Sequence, residues 1–165
     1  MELDKVFHDI IIPAMAELPV AMTGDKATIQ LLTTGLQESK FIYRYQVIGG
    51  GKKGPARSFW QGEQGGGMVT GVLNHKATRA LVLKLCESHG VEPEPHAIWL
   101  AIENDDILAC ALARLLLWTD PYPLPDVNDW ASAWDTYMRV WRPGKPHPET
   151  WPGYHRAARE LLGLA

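Results

Sequence analysis

Gly35-Leu-Gln-Glu-Ser-Lys-Phe-Ile-Tyr-Arg-Tyr-Gln-Val-Ile-Gly-Gly-Gly-Lys-Lys-Gly-Pro-Ala-Arg-Ser-Phe-Trp-Gln61 is the stretch that departs from the pattern of the rest of the chain. Two short β-prone pieces, Phe41 to Ile48 and Ala56 to Gln61, flank a glycine-rich turn, as in a small irregular hairpin. So much glycine beside so many aromatics predicts either a backbone that bends sharply or approaches a ligand closely, or a mobile surface hairpin. Outward from this stretch the periodicity is helical. Val6, Ile10 and Ile11 open an amphipathic segment that Pro13 kinks and Pro19 ends. Asp25 is the expected N-cap of a helix carrying Ala27, Ile29, Leu32 and Leu36, which ends near Ser39 or Phe41. A third helix starts in the glycine run at residues 65–67, and a fourth carries Leu81, Val82, Leu85 and Cys86 up to a C-terminal Gly90. After Pro93 and Pro95 come Ala97 to Ile102, then Ile107 to Trp118 capped by Asp105 or Asp106. The prolines of residues 120–125 exclude helix. Asn128 or Asp129 caps a helix whose Trp130, Trp134, Tyr137 and Trp141 share one face, and Glu149 to Leu162 form the last helix.

The expected fold class is therefore mainly α with one small β-hairpin, in a single domain over residues 1–165, since no repeat or long linker divides the chain. Its 165 residues can bury a core unaided, and 46% hydrophobic with 21% charged residues exclude a disordered chain. A net charge of −3 gives no general attraction for nucleic acid or anionic lipid, so neither is an expected partner. Cys86 and Cys110 lie in apolar runs and read as buried free thiols. The six histidines show no pair with metal-ligand spacing and read as exposed surface residues, so no metal or cofactor is expected. The start of the chain lacks a secretory signal, and no apolar run is long enough to span a bilayer, which predicts cytoplasmic synthesis. Seven tryptophans against three phenylalanines either fill the core or supply flat faces to a ligand groove.

The residues that suggest chemistry are carboxylates. Glu38 falls at the end of the second predicted helix, where it is either a solvated helix-end glutamate or a desolvated carboxyl. A desolvated carboxyl stays protonated near neutral pH and can act as a general acid. Glu38-Ser-Lys-Phe41 followed by Gly54-Pro-Ala-Arg-Ser-Phe-Trp-Gln61 resembles the signature of lysozyme-like lytic transglycosylases and goose-type lysozymes. In these a helix ends in Glu-Ser-x-Phe and a small-residue turn ends in Gln. Ala56 and Ser58 match the small positions, Gln61 matches, and Phe59-Trp60 replaces the usual Leu-Met pair. The chain also looks like prophage-encoded proteins in which Trp-Arg-Pro-Gly-Lys-Pro recurs.

The resemblance implies a lysozyme-like helical domain beside a peptidoglycan-binding cleft. It implies that Glu38 protonates the glycosidic oxygen of the glycan strand, that Ser39 orients Glu38, and that Gln61 bonds sugar or a carboxyl partner. Such an enzyme would act at the cell wall or in the virion, with phage proteins as partners. The alternative is a degenerate lysozyme-like structural or binding protein, which the altered pair at residues 59–60 and the missing Tyr-Asn-x-Gly would fit. Trp60 either stacks on sugar or, if Gln61 faces the cleft, packs inward by strand alternation. Tyr137 stands in for the family's late tyrosine, which in the resemblance reaches the catalytic glutamate, or is plain core. Glu63 is the candidate second carboxylate. Facing Glu38, it acts as base and gives reducing-end products. Turned outward at Gly62, it is solvated, and the products are the anhydro sugars that the resemblance favours. Lys52, Lys53 and Arg57 make the hairpin basic, either to steer an anionic polymer or as a solvated turn.

Overall fold

The glycine-rich region organises the fold in a computed structural model that describes residues 1–164. The described chain is 59% helical, with eight helices and one three-stranded antiparallel sheet, so the class is mainly α with a small β element. Helix α1 (residues 3–16) runs through Pro13, because the turn Phe7–Ile11 widens to a π-turn just ahead of the residue that has no N–H to give. Helix α2 (Asp25–Ser39) is buried continuously from Ala27 to Gly35. Asp25 is not its cap: Gly24, at φ 121°, occupies that position without any side-chain hydrogen bond.

Strands β1 (Tyr45–Ile48), β2 (Lys52–Arg57) and β3 (Gly62–Glu63) lie in the order β1-β2-β3. The expected hairpin thus gains a third strand, with Ala56 opposite Glu63 and Arg57 opposite Gly62. The β1–β2 turn passes through Gly50 and Gly51 at φ 73° and 75°, a conformation that glycine adopts without penalty. The remaining helices are α3 (residues 67–74), α4 (Arg79–His89), α5 (Pro95–Ala101), α6 (Asp106–Trp118), α7 (Trp130–Trp141) and α8 (Trp151–Leu161). Their ends follow the expected capping chemistry. Gly90 at φ 67° closes α4, with Val91 N–H bonded to Cys86 O at 2.9 Å. Asp105 and Asp129 accept from Leu108 N–H and Ser132 N–H, each at 2.9 Å.

Buried α6, apolar on every face, packs with α1, α2 and α3 in one continuous core. Cys86 and Cys110 are free thiols inside it. The join between α2 and the sheet is aromatic. Phe41, Phe59 and Trp60 meet edge to face at ring separations of 5.4, 5.7 and 6.5 Å, and each is at most 1% exposed. Gly35 makes this possible, since a Cβ there would sit 2.1 Å from the Phe41 ring. The glycine three residues before Glu38 is therefore the seat of the aromatic ring three residues after it.

Candidate active site

Glu38 occupies the last turn of α2, at the edge of that aromatic core. Behind it Ser39 donates to Gly35 O at 3.2 Å and accepts from Phe41 N–H at 3.1 Å. Ser39 thereby closes the helix end and does not hydrogen-bond Glu38, so the orienting role expected for it falls elsewhere. Tyr137 takes that role: its hydroxyl donates to Glu38 Oε1 at 2.6 Å. The Tyr137 ring is stacked on Trp151 at 4.9 Å and lies 5.4 Å from Trp134, so the donor is held by packing. The aromatic face of α7 thus serves both as core and as support for the acid.

Burial pushes the Glu38 carboxyl up from an ordinary 4.5 to about 7, against the opposing pull of the Tyr137 hydrogen bond, which favours the charged form. Burial and the adjacent carboxylate raise the Tyr137 phenol, which keeps it a donor. Glu38 Oε2 has no hydrogen-bond partner among the described residues, and Glu38 lines a cleft of about 330 Å³. A carboxyl on a cleft that holds its proton near neutral pH, with one oxygen fixed and the other unpartnered, has the properties of a general acid.

The cleft brings together Glu38, Gln61, Glu63 and Tyr137, and it excludes Ser39 and Trp60. Trp60 is fully buried. Its Nε1 donates to Leu31 O at 2.9 Å, and its own carbonyl accepts from Trp141 Nε1 at 2.9 Å. It is a strut rather than a sugar platform: residues 58–61 form a turn between β2 and β3, with Ser58 at φ 73° and Gln61 at φ 55°, and this turn buries Phe59 and Trp60 together. Gln61, at φ 55°, donates its side-chain amide to Ser58 O at 2.8 Å, which leaves its amide oxygen toward the cleft. Glu63 follows Gly62 in β3, lines the cleft and is exposed.

Three features of the cleft were not legible in the sequence. Gln46 on β1 lines it, with its Oε1 buried beside Gly54 and without a hydrogen-bond partner among the described residues. Arg142 and Lys145 give it a cationic rim. Gln37, next to Glu38, pins their loop by donating to His147 O at 3.0 Å and accepting from Thr150 Oγ1 at 3.0 Å. The sequence signal for this loop was the Trp-Arg-Pro-Gly-Lys-Pro run at residues 141–146. Among the described residues the non-glycine positions with positive φ are Lys40, Phe41, Ser58, Gln61 and Arg142, of which Gln61 and Arg142 line the cleft, and Lys40 and Arg142 close α2 and α7. Each costs about 1–2 kcal/mol, and such strain concentrates at functional sites.

Other polar residues correct their sequence-based expectations. His89 is not an exposed histidine. Its Nδ1 and Nε2 lie 2.7 Å from Asp105 Oδ2 and 2.7 Å from Glu17 Oε2. His155 is buried at 2% exposure. Lys53 and Arg57 pair with Glu103 at 2.7 and 3.1 Å, so the hairpin's basic charge is partly neutralised. Among the described residues no group of three or more His, Cys, Asp or Glu side chains could hold a metal ion, and no helix is long and apolar enough to cross a membrane. No known protein family, curated protein or solved structure matches this chain.

Proposed function

We propose that the protein is a lysozyme-like muralytic enzyme, phage- or prophage-encoded, that cleaves the glycan strand of bacterial peptidoglycan with Glu38 as general acid. The hydrogen bond from Tyr137 to a Glu38 that titrates near 7 carries the proposal. Protonated Glu38 gives its proton to the glycosidic oxygen as the C–O bond breaks, and the leaving sugar departs as an alcohol. Glu63, on the same cleft, accepts a proton from a water that adds to the anomeric carbon. The product then carries an ordinary reducing end. Gln61, whose amide oxygen is left free, is suited to the hydroxyl and acetamido groups of aminosugars. The rim cations Arg142 and Lys145 favour the approach of an anionic wall polymer.

The Phe59-Trp60 pair does not weigh toward a degenerate protein, because its bulk fills the core behind the cleft rather than the cleft itself. The deciding experiment is digestion of purified cell walls, with mass analysis of the released fragments. Glycan cleavage by the wild type and its loss in Glu38→Gln are expected. Intact glycan strands after incubation with walls of several species would leave a structural or binding role instead.

A further inference from the structure

Helix α2 starts without a side-chain cap. The N–H groups of Asp25, Lys26 and Ala27 have no protein acceptor, and the first bond of the helix is Thr28 N–H to Gly24 O at 3.0 Å. These donors carry the positive end of the helix dipole, and they border a second cavity of about 590 Å³. A helix start alone says nothing of a ligand. A buried cation at the same cavity does.

Arg114 rises from the apolar helix α6 and is only 3% exposed. Its Nε donates to Met22 O at 2.6 Å, and its Cζ lies 5.5 Å from the Trp118 ring centroid. Neither terminal nitrogen has a protein acceptor among the described residues, and no carboxylate lies within ion-pair distance. Asp120, which also lines the cavity, is held by Arg139 at 2.9 and 2.7 Å, and Lys26 is held by Asp126 at 2.9 Å. Asp25, the remaining acid on the wall, makes no ion pair. Burial pushes the guanidinium down to about 10, as expected for a charge that has lost water and gained no counter-charge. Buried charges are ordinarily paired. Here no partner lies among the described residues, and Arg114 lines the open cavity. The rest of the wall is flat and apolar, with Leu117, Trp118, Pro123 and Leu124.

We propose that this cavity binds a small organic carboxylate, its carboxyl group held between Arg114 and the first turn of α2 and its apolar body laid against Trp118. An oxyanion there satisfies the guanidinium fork and the helix N–H groups together. The site lies at the opposite end of α2 from Glu38, roughly 20 Å away at a rise of about 1.5 Å per residue, so its ligand does not compete for the cleft.

The test is a titration of the full chain with phenylacetate, acetate, inorganic phosphate and neutral benzyl alcohol at constant ionic strength. Binding is followed by the Trp118 indole N–H resonance and by thermal melting. Phenylacetate should saturate, shift that resonance and raise Tm, with acetate about tenfold weaker and benzyl alcohol inert. Arg114→Met should fold, because an apolar side chain replaces an uncompensated charge, and should bind phenylacetate at least about tenfold more weakly. Trp118→Leu should weaken phenylacetate but not acetate, and Glu38→Gln should bind as the wild type does. No saturable binding by the wild type, equal binding of benzyl alcohol, or undiminished affinity in folded Arg114→Met would overturn the proposal. Phosphate binding more tightly than phenylacetate would overturn the carboxylate assignment.

Discussion

Tyr137 donates to Glu38 Oε1 across 2.6 Å, linking residues 99 positions apart in the chain. The bond favours the ionised carboxyl, while burial favours the protonated one, and burial prevails: the group titrates at about 7. Activity that depends on protonated Glu38 should therefore fall as pH rises through about 7. Tyr137→Phe removes the one contact that lowers this value, so the alkaline limb should move upward by about one pH unit. A pH–rate profile of the variant checks the direction, and a limb displaced downward would contradict it.

Glu38→Gln cannot deliver a proton, and its glycan cleavage should fall by about 10²–10⁴-fold. Stability supplies a second readout. The native carboxyl binds its proton more tightly than the unfolded chain does, so ionising Glu38 destabilises the fold as pH rises from about 4.5 through 7. The amide has no such cost. Chemical denaturation at pH 5 and pH 8 should show a smaller loss of stability in Glu38→Gln than in the wild type.

Glu63 separates two chemistries. If Glu63, which lines the same cleft as Glu38, is the base, products should carry reducing ends, and Glu63→Gln should slow their release. Mass spectrometry distinguishes these from anhydro products. Anhydro ends together with undiminished turnover in Glu63→Gln would assign the reaction to the substrate's own groups and leave Glu63 a solvated residue.

The local parts of this site were legible because they are sequential. Glu38 ends a helix whose apolar spacing is plain, whereas residues 58–61 form a turn that buries Phe59 and Trp60 together, so strand alternation does not account for the step from Trp60 to Gln61. Tyr137 could be placed on an aromatic face, but only the resemblance pointed to a contact with Glu38, since nothing local encodes a pairing between α2 and α7. The same holds for His89, whose carboxylates come from Glu17 and Asp105, 72 and 16 residues away. Asp25 was misplaced by one residue because Gly24 adopts φ 121°, a geometry that periodicity does not report. The third strand was missed because Gly62-Glu63 is too short to show an alternating pattern.

Gly35 and Trp60 should answer differently from the cleft residues. Trp60→Ala empties a buried indole site and should cost about 3–5 kcal/mol of stability. Gly35→Ala sets a methyl group 2.1 Å from the Phe41 ring. It should lower Tm and also activity per folded molecule, because the displaced Phe41 lies three residues beyond Glu38. Denaturant unfolding with active-site titration separates the two effects. Gly35→Ala with wild-type stability would show that the Phe41 ring moves aside freely.

His89 joins the ends of three helices, lying between Glu17 just after α1 and Asp105, the N-cap of α6. Burial alone would lower the imidazole, but hydrogen bonds and charge from Asp105 and Glu17 outweigh it and hold the value above 6.5. The sign follows from linkage. A histidine raised on folding contributes stability that is fully present below its unfolded value and is lost as pH rises through its folded one. Glu38 also makes the wild type less stable as pH rises, so the comparison must be with His89→Gln, which leaves that carboxyl untouched. The stability gap between wild type and His89→Gln should be largest in mildly acidic solution. It should narrow steadily above neutrality, as the imidazolium loses its proton and one carboxylate loses its donor. Denaturation midpoints measured from pH 5 to pH 9 provide the check, and a gap that stayed constant across that range would mean that His89 is held by packing alone.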